Sequence, residues 1–334
     1  MGVKITELIP KKEISWDLLK GKVIAVDTSN MIFQFLSSIR QADGTQLMDG
    51  KGRVTSHLVG IFSRIPNLME KGIRPCFVFD GKAPALKRKE RQRREDAKIR
   101  AEEKLKEAKD QEEMLKYSRM ATRLDSGMIE EAKRLIEAMG LPVVQSPSEA
   151  EAQAALICRN KDAWAVATQD YDALLYSAPR VVQSLTLSQK KRLPSGGYSS
   201  VYPQLIELKE VLQELDLDKE QLLVLAILVG TDFNVGGVKG IGPKKALQLV
   251  QSGKKFKDIF GSLDADFDWE EVVDVFSKMP VDENYSIKFA EPDEERIRKL
   301  LVDEHDFSGD RVDNALEKIR GKPKGQSSLN MWMK

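Results

Sequence analysis

The sequence predicts an α/β fold with a mainly parallel central sheet flanked by helices, and three observations carry that reading. Lys22 to Asp27 (KVIAVD) and Arg74 to Asp80 (RPCFVFD) are short runs rich in β-branched and aromatic residues, each stopping at an aspartate, as buried strands do. A third run, Trp164 to Thr168 (WAVAT), ends just before Asp170 and Asp172. Helical patterns separate all three, and strands alternating with helices imply parallel pairing, with a ligand site beyond the carboxyl ends of the strands. Asp27, Asp80, Asp170 and Asp172 therefore fall on one edge.

Between and beyond these strands the helices follow in order. From Pro84 to Lys116 the chain is densely charged and has no Gly or Pro after Pro84. The spacing predicts one helical rod of roughly 45 Å, too polar to be buried along its length, which must project from the core. Ser126 to Gly140 is an amphipathic helix with Ile129, Ala132, Leu135, Ile136 and Met139 on its apolar face and Gly140 as a stop. The next helix opens at Ser148, followed by Glu149 and Glu151, whose carboxylates suit a helix N-terminus. Asp218 with Gln221 forms a capping box before the apolar helix Leu222 to Val229. A glycine-rich turn, GTDFNVGGVKGIGPKKA, leads into a helix from about Pro243 to Gln251. The remainder, through Arg320, is expected to hold a strand at Tyr285 to Phe289 and two charged helices, and Lys322 to Ser328 reads as a flexible linker.

Composition sets bounds on function. With 334 residues and a hydrophobic share of 41%, the chain can form a sizeable core. Lys plus Arg (53) and Asp plus Glu (52) almost cancel, so net charge is silent about a polyanionic partner and distribution must decide. Cys76 and Cys158 show no CxxC spacing and His57 and His305 are the only histidines, which argues against zinc and for a reducing compartment. No run reaches about 18 apolar residues and the N-terminus lacks a signal-peptide core, so a soluble, intracellular protein without a membrane partner is expected. Met1, Gly2 and Thr6 match the myristoylation pattern, a weak signal.

Asp27, Asp80, Glu149, Glu151, Asp170, Asp172 and Asp232 each sit where a strand ends or a helix turns. A lone strand-end aspartate is more often a cap or a turn residue. Three strand ends bearing acids, together with an ExE pair and a DxD pair, would need several coincidences. If these carboxylates converge they repel, and cations must hold them together. Oxygen-only ligation points to Mg²⁺ or Mn²⁺. Two such ions about 4 Å apart clamp the attacking and leaving oxygens of an in-line phosphoryl displacement.

The segments VDTSNMIFQFL, FVFDGKAP, SPSEAEAQAA, ATQDYDALLY and LVGTDFNVGGVKGIGPKKA resemble, in order and across essentially the whole chain, the successive motifs of the flap endonucleases and related 5′ nucleases. The resemblance implies a 5′-nuclease, PIN-like fold. It also implies structure-specific cleavage of 5′ flap DNA in replication and repair, with a lesser 5′ to 3′ exonuclease activity, and that the seven acids bind two metal ions directly or through water. It divides the chain into a nuclease body at 1–320 and a flexible tail at 321–334. Within the body, about 82–124 would be a helical arch or cap and about 217–255 a helix-two-turn-helix region. A DNA-associated monomer is expected.

Particular residues then acquire expected roles. Lys87, Arg88, Lys89, Arg91, Arg93, Arg94, Lys98 and Arg100 crowd the first half of the charged rod, a basic run that begins seven residues after Asp80. A solvated helix with i,i+4 pairs explains the rod's second half; phosphate contact is favoured for its first. Lys87 and Arg94, two turns apart on one face, match the family's basic residues at the scissile phosphate. Phe33 stands where relatives often carry a stacking Tyr, and core packing explains it equally well. Gln41 to Thr55 matches the region that wedges the duplexes apart and holds a one-nucleotide 3′ flap. GxG before a helix, taken alone, fits a plain turn better than a binding site. By resemblance Gly240, Gly242, Lys244 and Lys245 grip duplex phosphates, with K⁺ held by turn carbonyls. Gln326, Leu329 and Trp332 resemble the peptide that docks on a sliding clamp, with Met333 where a second aromatic is usual.

Overall fold

Apolar side chains alternate through the central strands, so both faces of the sheet must be covered. In β2 (Val23–Asp27) Ile24 and Val26 enter one core while Ala25 enters the other, and in β3 (Arg74–Phe79) Phe77 and Phe79 oppose Cys76 and Val78. This architecture is seen in a computed structural model that describes residues 3–41, 43–185, 190–192 and 196–320. With β1 (Lys12–Glu13), β4 (Val143–Gln145), β5 (Ala165–Ala167), β6 (Arg180–Gln183) and β9 (Gln204–Glu207), these strands form a seven-stranded sheet. Its order is β1-β9-β6-β5-β2-β3-β4. The five strands from β6 to β4 are parallel, and β9 and β1 extend that sheet antiparallel at one edge. A separate antiparallel pair joins β7 (Lys190–Arg192) to β8 (Tyr198–Ser200).

Helices cover each face. α1 (Thr28–Ser38), α2 (Ser56–Glu70), α5 (Ser126–Ala138), α13 (Glu294–Arg298) and α14 (Gly309–Ile319) bury their apolar stripes on one side. On the other lie α6 (Ala150–Arg159), α7 (Asp172–Leu175), α8 (Leu208–Glu214), α9 (Lys219–Val229), α10 (Pro243–Gln251), α11 (Phe256–Gly261) and α12 (Trp269–Ser277). Leu222 to Leu228 of α9 are all buried, because α9 lies within its layer and meets α7, α10 and α12. The capping box at Asp218 and Gln221 starts it as expected.

Four expectations need correction. The charged rod is not continuous. After a tight turn at Ala85–Lys87, α3 (Arg88–Glu107) spans 20 residues, and the chain then breaks before α4 (Gln111–Met120), which folds back beside it. Asp110 causes the break by capping α4, its carboxylate accepting from the Glu113 N–H at 2.8 Å in place of a continuing helix. Tyr285 to Phe289 is not a strand. Its alternate side chains pack on the core while its backbone pairs with no strand among the described residues, and the Arg74 guanidinium lies 4.1 Å over the Phe289 ring. Ser148 does not open its helix: Glu149 is the cap, and the Ser148 hydroxyl donates instead to the Lys82 carbonyl at 2.9 Å. Beyond α10 four helices form, not two, since α11 and α12 bring Ile259, Phe260, Val272 and Phe276 into the core.

Among the described residues no helix is long and apolar enough to cross a membrane. Cys76 and Cys158 are free and buried, and burial pushes both thiols up to about 12.

Candidate functional site

The sheet order sets the site. From β2 the chain moves outward to β3 and β4, then crosses back to β5 on the other side of β2, so a crevice opens at the carboxyl ends around β2. Asp27 ends β2, Asp80 follows β3, and Asp170 and Asp172 follow β5 at the start of α7. Glu149 and Glu151 lie at the start of α6, and Asp232 in the turn after α9. All seven acids line one cleft, which Lys87 and Arg94 enter from the α3 side, with Phe33 of α1 half-buried on its wall.

Backbone and hydroxyl donors fix the carboxylates. Asp27 caps α1 by accepting from the Asn30 N–H at 3.1 Å. Asp80 accepts from the Ala150 N–H at 2.8 Å, joining the end of β3 to the start of α6, and Asp172 accepts from the Val3 N–H at 3.0 Å. Two residues that sequence reasoning missed organise the centre. The buried Thr168 hydroxyl lies 3.0 Å from Glu151 and 3.3 Å from Asp27, and its oxygen accepts from the Asp170 N–H at 3.2 Å. The Asn30 amide donates to Asp170 at 3.0 Å. Both lie beside the motif acids, in DTSN and ATQD, where hydroxyl and amide neighbours were the available signal.

Burial and like charge dominate the electrostatics. Burial, then Asp80 and Asp170, raises Asp27 to about 8, and burial, then Asp232, raises Asp172 to about 7. Burial with Asp172, Asp27 and Asp170 pushes Glu151 well above the carboxylate range. Two cations relieve part of this. Lys87 Nζ sits 2.5 Å from Glu149 and 3.3 Å from Asp232, while Arg94 Nη2 lies 2.7 Å from Asp232 and Arg94 Nε 2.6 Å from Glu90. Although burial disfavours the ammonium, Glu149 and Asp232 hold Lys87 above the usual lysine range.

Lys87 and Arg94 pair directly with Glu149 and Asp232, and the oxygen-only donor set of the seven acids suits hard dications. Among the described residues, no three carboxylates, imidazoles or thiols close tightly enough to enclose an ion by themselves. Carboxylates so placed can hold a hard dication directly or through its waters.

Apart from Asp232, the glycine-rich turn lies outside the cleft lining. Gly240 has φ +77°, whereas Gly242 caps α10 with φ −92° and open space at a Cβ, so only the first needs glycine for its conformation. Closer approach occurs at Gly237, where a Cβ would meet the Leu228 carbonyl at 2.4 Å. Lys244 and Lys245 are exposed on the first turn of α10. Gln326, Leu329, Trp332 and Met333 lie outside the described residues.

The raised carboxyls make cation binding proton-linked. Asp27 moves from 3.8 to about 8, so the metal-free fold holds protons that the unfolded chain has released, and its stability falls as pH rises through that window. A divalent cation displaces those protons. The rise in Tm on adding saturating Mg²⁺ should therefore grow between pH 5 and 8; a rise independent of pH would show that these carboxyls are not the cation's ligands.

Comparison with known proteins agrees with this geometry. Residues 1–101 match the XPG N-terminal domain and residues 140–232 the XPG I-region. The chain is 51% identical over 338 residues to Flap endonuclease 1 of Pyrococcus abyssi, covering 99% of this chain and 98% of the relative. It is also 51% identical over 340 residues to Flap endonuclease 1 of Pyrococcus furiosus, covering 100% of each. Among solved structures, flap endonuclease-1 from Methanococcus jannaschii has a TM-score of 0.77 at 44% identity, over 95% of this chain and 98% of that one. The catalytic core of Rad2 in complex with DNA substrate shares the fold, with a TM-score of 0.69 at 24% identity over 94% and 97% of the two chains. Identity at about half of all positions, sustained from end to end in a shared fold, places the chain in the flap endonuclease 1 family.

Proposed function

We propose that this protein is a structure-specific DNA endonuclease that cleaves 5′ flaps in replication and repair, with a secondary 5′ to 3′ exonuclease activity. The observation that carries this reading is the convergence of seven carboxylates at one sheet edge with Lys87 and Arg94 reaching into the same cleft. Asp27, Asp80, Glu149, Glu151, Asp170, Asp172 and Asp232 hold two Mg²⁺ ions or the waters around them, and Mn²⁺ can substitute. Bound there, the ions polarise the scissile phosphate and supply a hydroxide nucleophile.

The chain's own groups do the rest. Thr168 and Asn30 orient Asp27, Glu151 and Asp170, so that the carboxylates need little rearrangement when the substrate arrives. Lys87 and Arg94 now neutralise Glu149 and Asp232. Both side chains would turn from there to the scissile phosphate and stabilise the charge that develops on it. Phe33, on the cleft wall, offers its ring face to the base beside the cut. The single strand of the flap passes beneath α3 and α4, the arch. At the turn before α10, Gly240 and Gly242 let the backbone approach a duplex phosphate, Lys244 and Lys245 add charge, and turn carbonyls hold K⁺. The turn within Gln41 to Thr55 meets the far end of the junction and holds a one-nucleotide 3′ flap. Gln326, Leu329, Trp332 and Met333 in the 321–334 tail dock on a sliding clamp.

Labelled 5′ flap, nicked, single-stranded and four-way substrates, each with and without Mg²⁺, test the activity. Asp80→Ala and Asp172→Ala should abolish flap cleavage with binding retained, and near wild-type rates in both would sink the assignment. In single-turnover experiments Lys87→Ala and Arg94→Ala should each slow cleavage by about a hundredfold or more, with little change in flap affinity. A loss seen only as weaker binding would make them generic phosphate contacts.

For the duplex grip, Lys244→Ala combined with Lys245→Ala should lower the log–log salt slope of binding by about one to two units without changing sequence preference. An unchanged slope would show that these lysines do not touch DNA. For the tail, a peptide spanning Gln326 to Lys334 should bind the cognate clamp in titration calorimetry, and a Trp332→Ala peptide should not. Equal affinities, or no binding by either, would mark the likeness as accidental.

A further inference from the structure

A second buried cluster of titratable side chains lies outside the acidic cleft. The chain between α1 and α2 makes a turn closed by the isolated pairs Arg40 with Gln46 and Met48 with Val54, and Met48 is 52% exposed on it. At its tip the Asp49 carboxylate accepts from the Lys51 and Arg53 N–H groups, each at 2.9 Å, and from Arg53 Nε at 2.8 Å. Burial would raise this carboxyl, but those bonds and one to His305 hold it down at about 2, so it stays an acceptor. His305 Nδ1 is 3.0 Å from Asp49, and the ring is only 2% exposed. Its Nε2 lies 3.2 Å from Glu131 of α5, whose other carboxylate oxygen is 3.1 Å from Nε2 of the buried His57 at the start of α2.

Further contacts tie the same two segments together. The Gly50 N–H donates to Asp306 at 2.9 Å, the Arg53 guanidinium donates to the Glu304 carbonyl, and Arg134 holds the Glu304 carboxylate at 2.8 Å. Buried ionic networks contribute little net stability compared with apolar packing, and their best attested use is to fix one geometry among several. The geometry fixed here is the distance between the turn's tip and the segment at Glu304 to Asp306. The turn is carried by α1, an 11-residue rod of about 17 Å whose first turn is capped by Asp27 in the cleft. Pinning the tip therefore sets where the turn stands relative to the cleft.

We infer that His305, hydrogen-bonded to Asp49 and within ion-pair distance of Glu131, is a positioning residue that holds the turn at 46–54 in the pose that receives the DNA end opposite the flap, and so sets substrate preference without touching the reacting atoms. This rests on the proposed role of that turn in holding a one-nucleotide 3′ flap. His305→Leu removes both imidazole contacts, whereas His305→Asn keeps an N–H donor near the Nδ1 position for Asp49.

The test compares a 5′ flap with and without the unpaired 3′ nucleotide. His305→Leu should raise KM for the double flap about tenfold, the scale of losing a hydrogen bond to a charged group, leave kcat unchanged, and leave the single flap unaffected. His305→Asn should restore most of the preference. Hydrogen exchange on the DNA-free protein gives a second reading: in His305→Leu the amides of Lys51 and Arg53 should exchange faster while those of β2 and β3 do not. Wild-type KM values together with unaltered amide exchange would overturn the inference while leaving the turn's role standing. If wild-type protein shows no preference for the double flap, the turn's proposed role fails and the inference falls with it. Equal losses on both substrates, with a lowered Tm, would reduce His305 to a structural residue and also overturn it.

Discussion

Mutual repulsion among carboxylates crowded at the strand ends, Asp27 and Asp172 buried among them, is the constraint that the other features answer. A parallel sheet that reverses direction around β2 brings Asp27, Asp80 and Asp170 to one crevice whether or not their charges are compensated. The protein responds with three devices. Backbone N–H groups of Asn30, Ala150 and Val3 accept part of the burden, the Thr168 hydroxyl joins Asp27 to Glu151, and two cations from a separate helical element neutralise Glu149 and Asp232. What these leave uncompensated is an excess of negative charge suited to divalent ions.

The α3–α4 hairpin is coupled to this centre. A polar helix such as α3, with only Glu90 and Ala101 buried, gains almost nothing from packing. Its anchorage comes from Lys87 and Arg94 at the cleft, from Arg123 on Glu95 and Glu102, and from α4 lying alongside. The exposed ion pairs among these are individually weak. The half-buried pairs at the cleft are the firmer attachment, so the end of the hairpin nearest the acids is held while its far end depends on Asp110 and on surface charges.

Much of this was legible in the sequence, for identifiable reasons. β2 and β3 are long apolar runs, five and six residues, ending at aspartates, and the α9 capping box and α10 could be read directly from local residues. β4, β6 and β9 were not, because strands of three or four residues leave too short a pattern to separate from loop, and their pairing is set by neighbours distant in sequence. Tyr285 to Phe289 shows the converse: alternation records which side chains are buried, not whether the backbone pairs. The acids were visible as a set because each stands at an element's end. Thr168 and Asn30 were not, because their importance lies in which carboxylates they reach across the sheet. The cluster around His305 was invisible for the same reason, since Asp49 and His305 are 256 positions apart.

Asp232 faces both ways, toward the acids of the cleft and toward Lys87 and Arg94. That double engagement restricts how the sequence can drift. A neutral residue there would strip charge from the ring of acids and at once leave a half-buried lysine and a half-buried arginine short of a counter-charge, so no single substitution is a small step. A descendant that altered the α3–α4 hairpin would have to renegotiate the acids as well. The two parts, one from the sheet edge and one from a helix that barely touches the core, are bound to be inherited together.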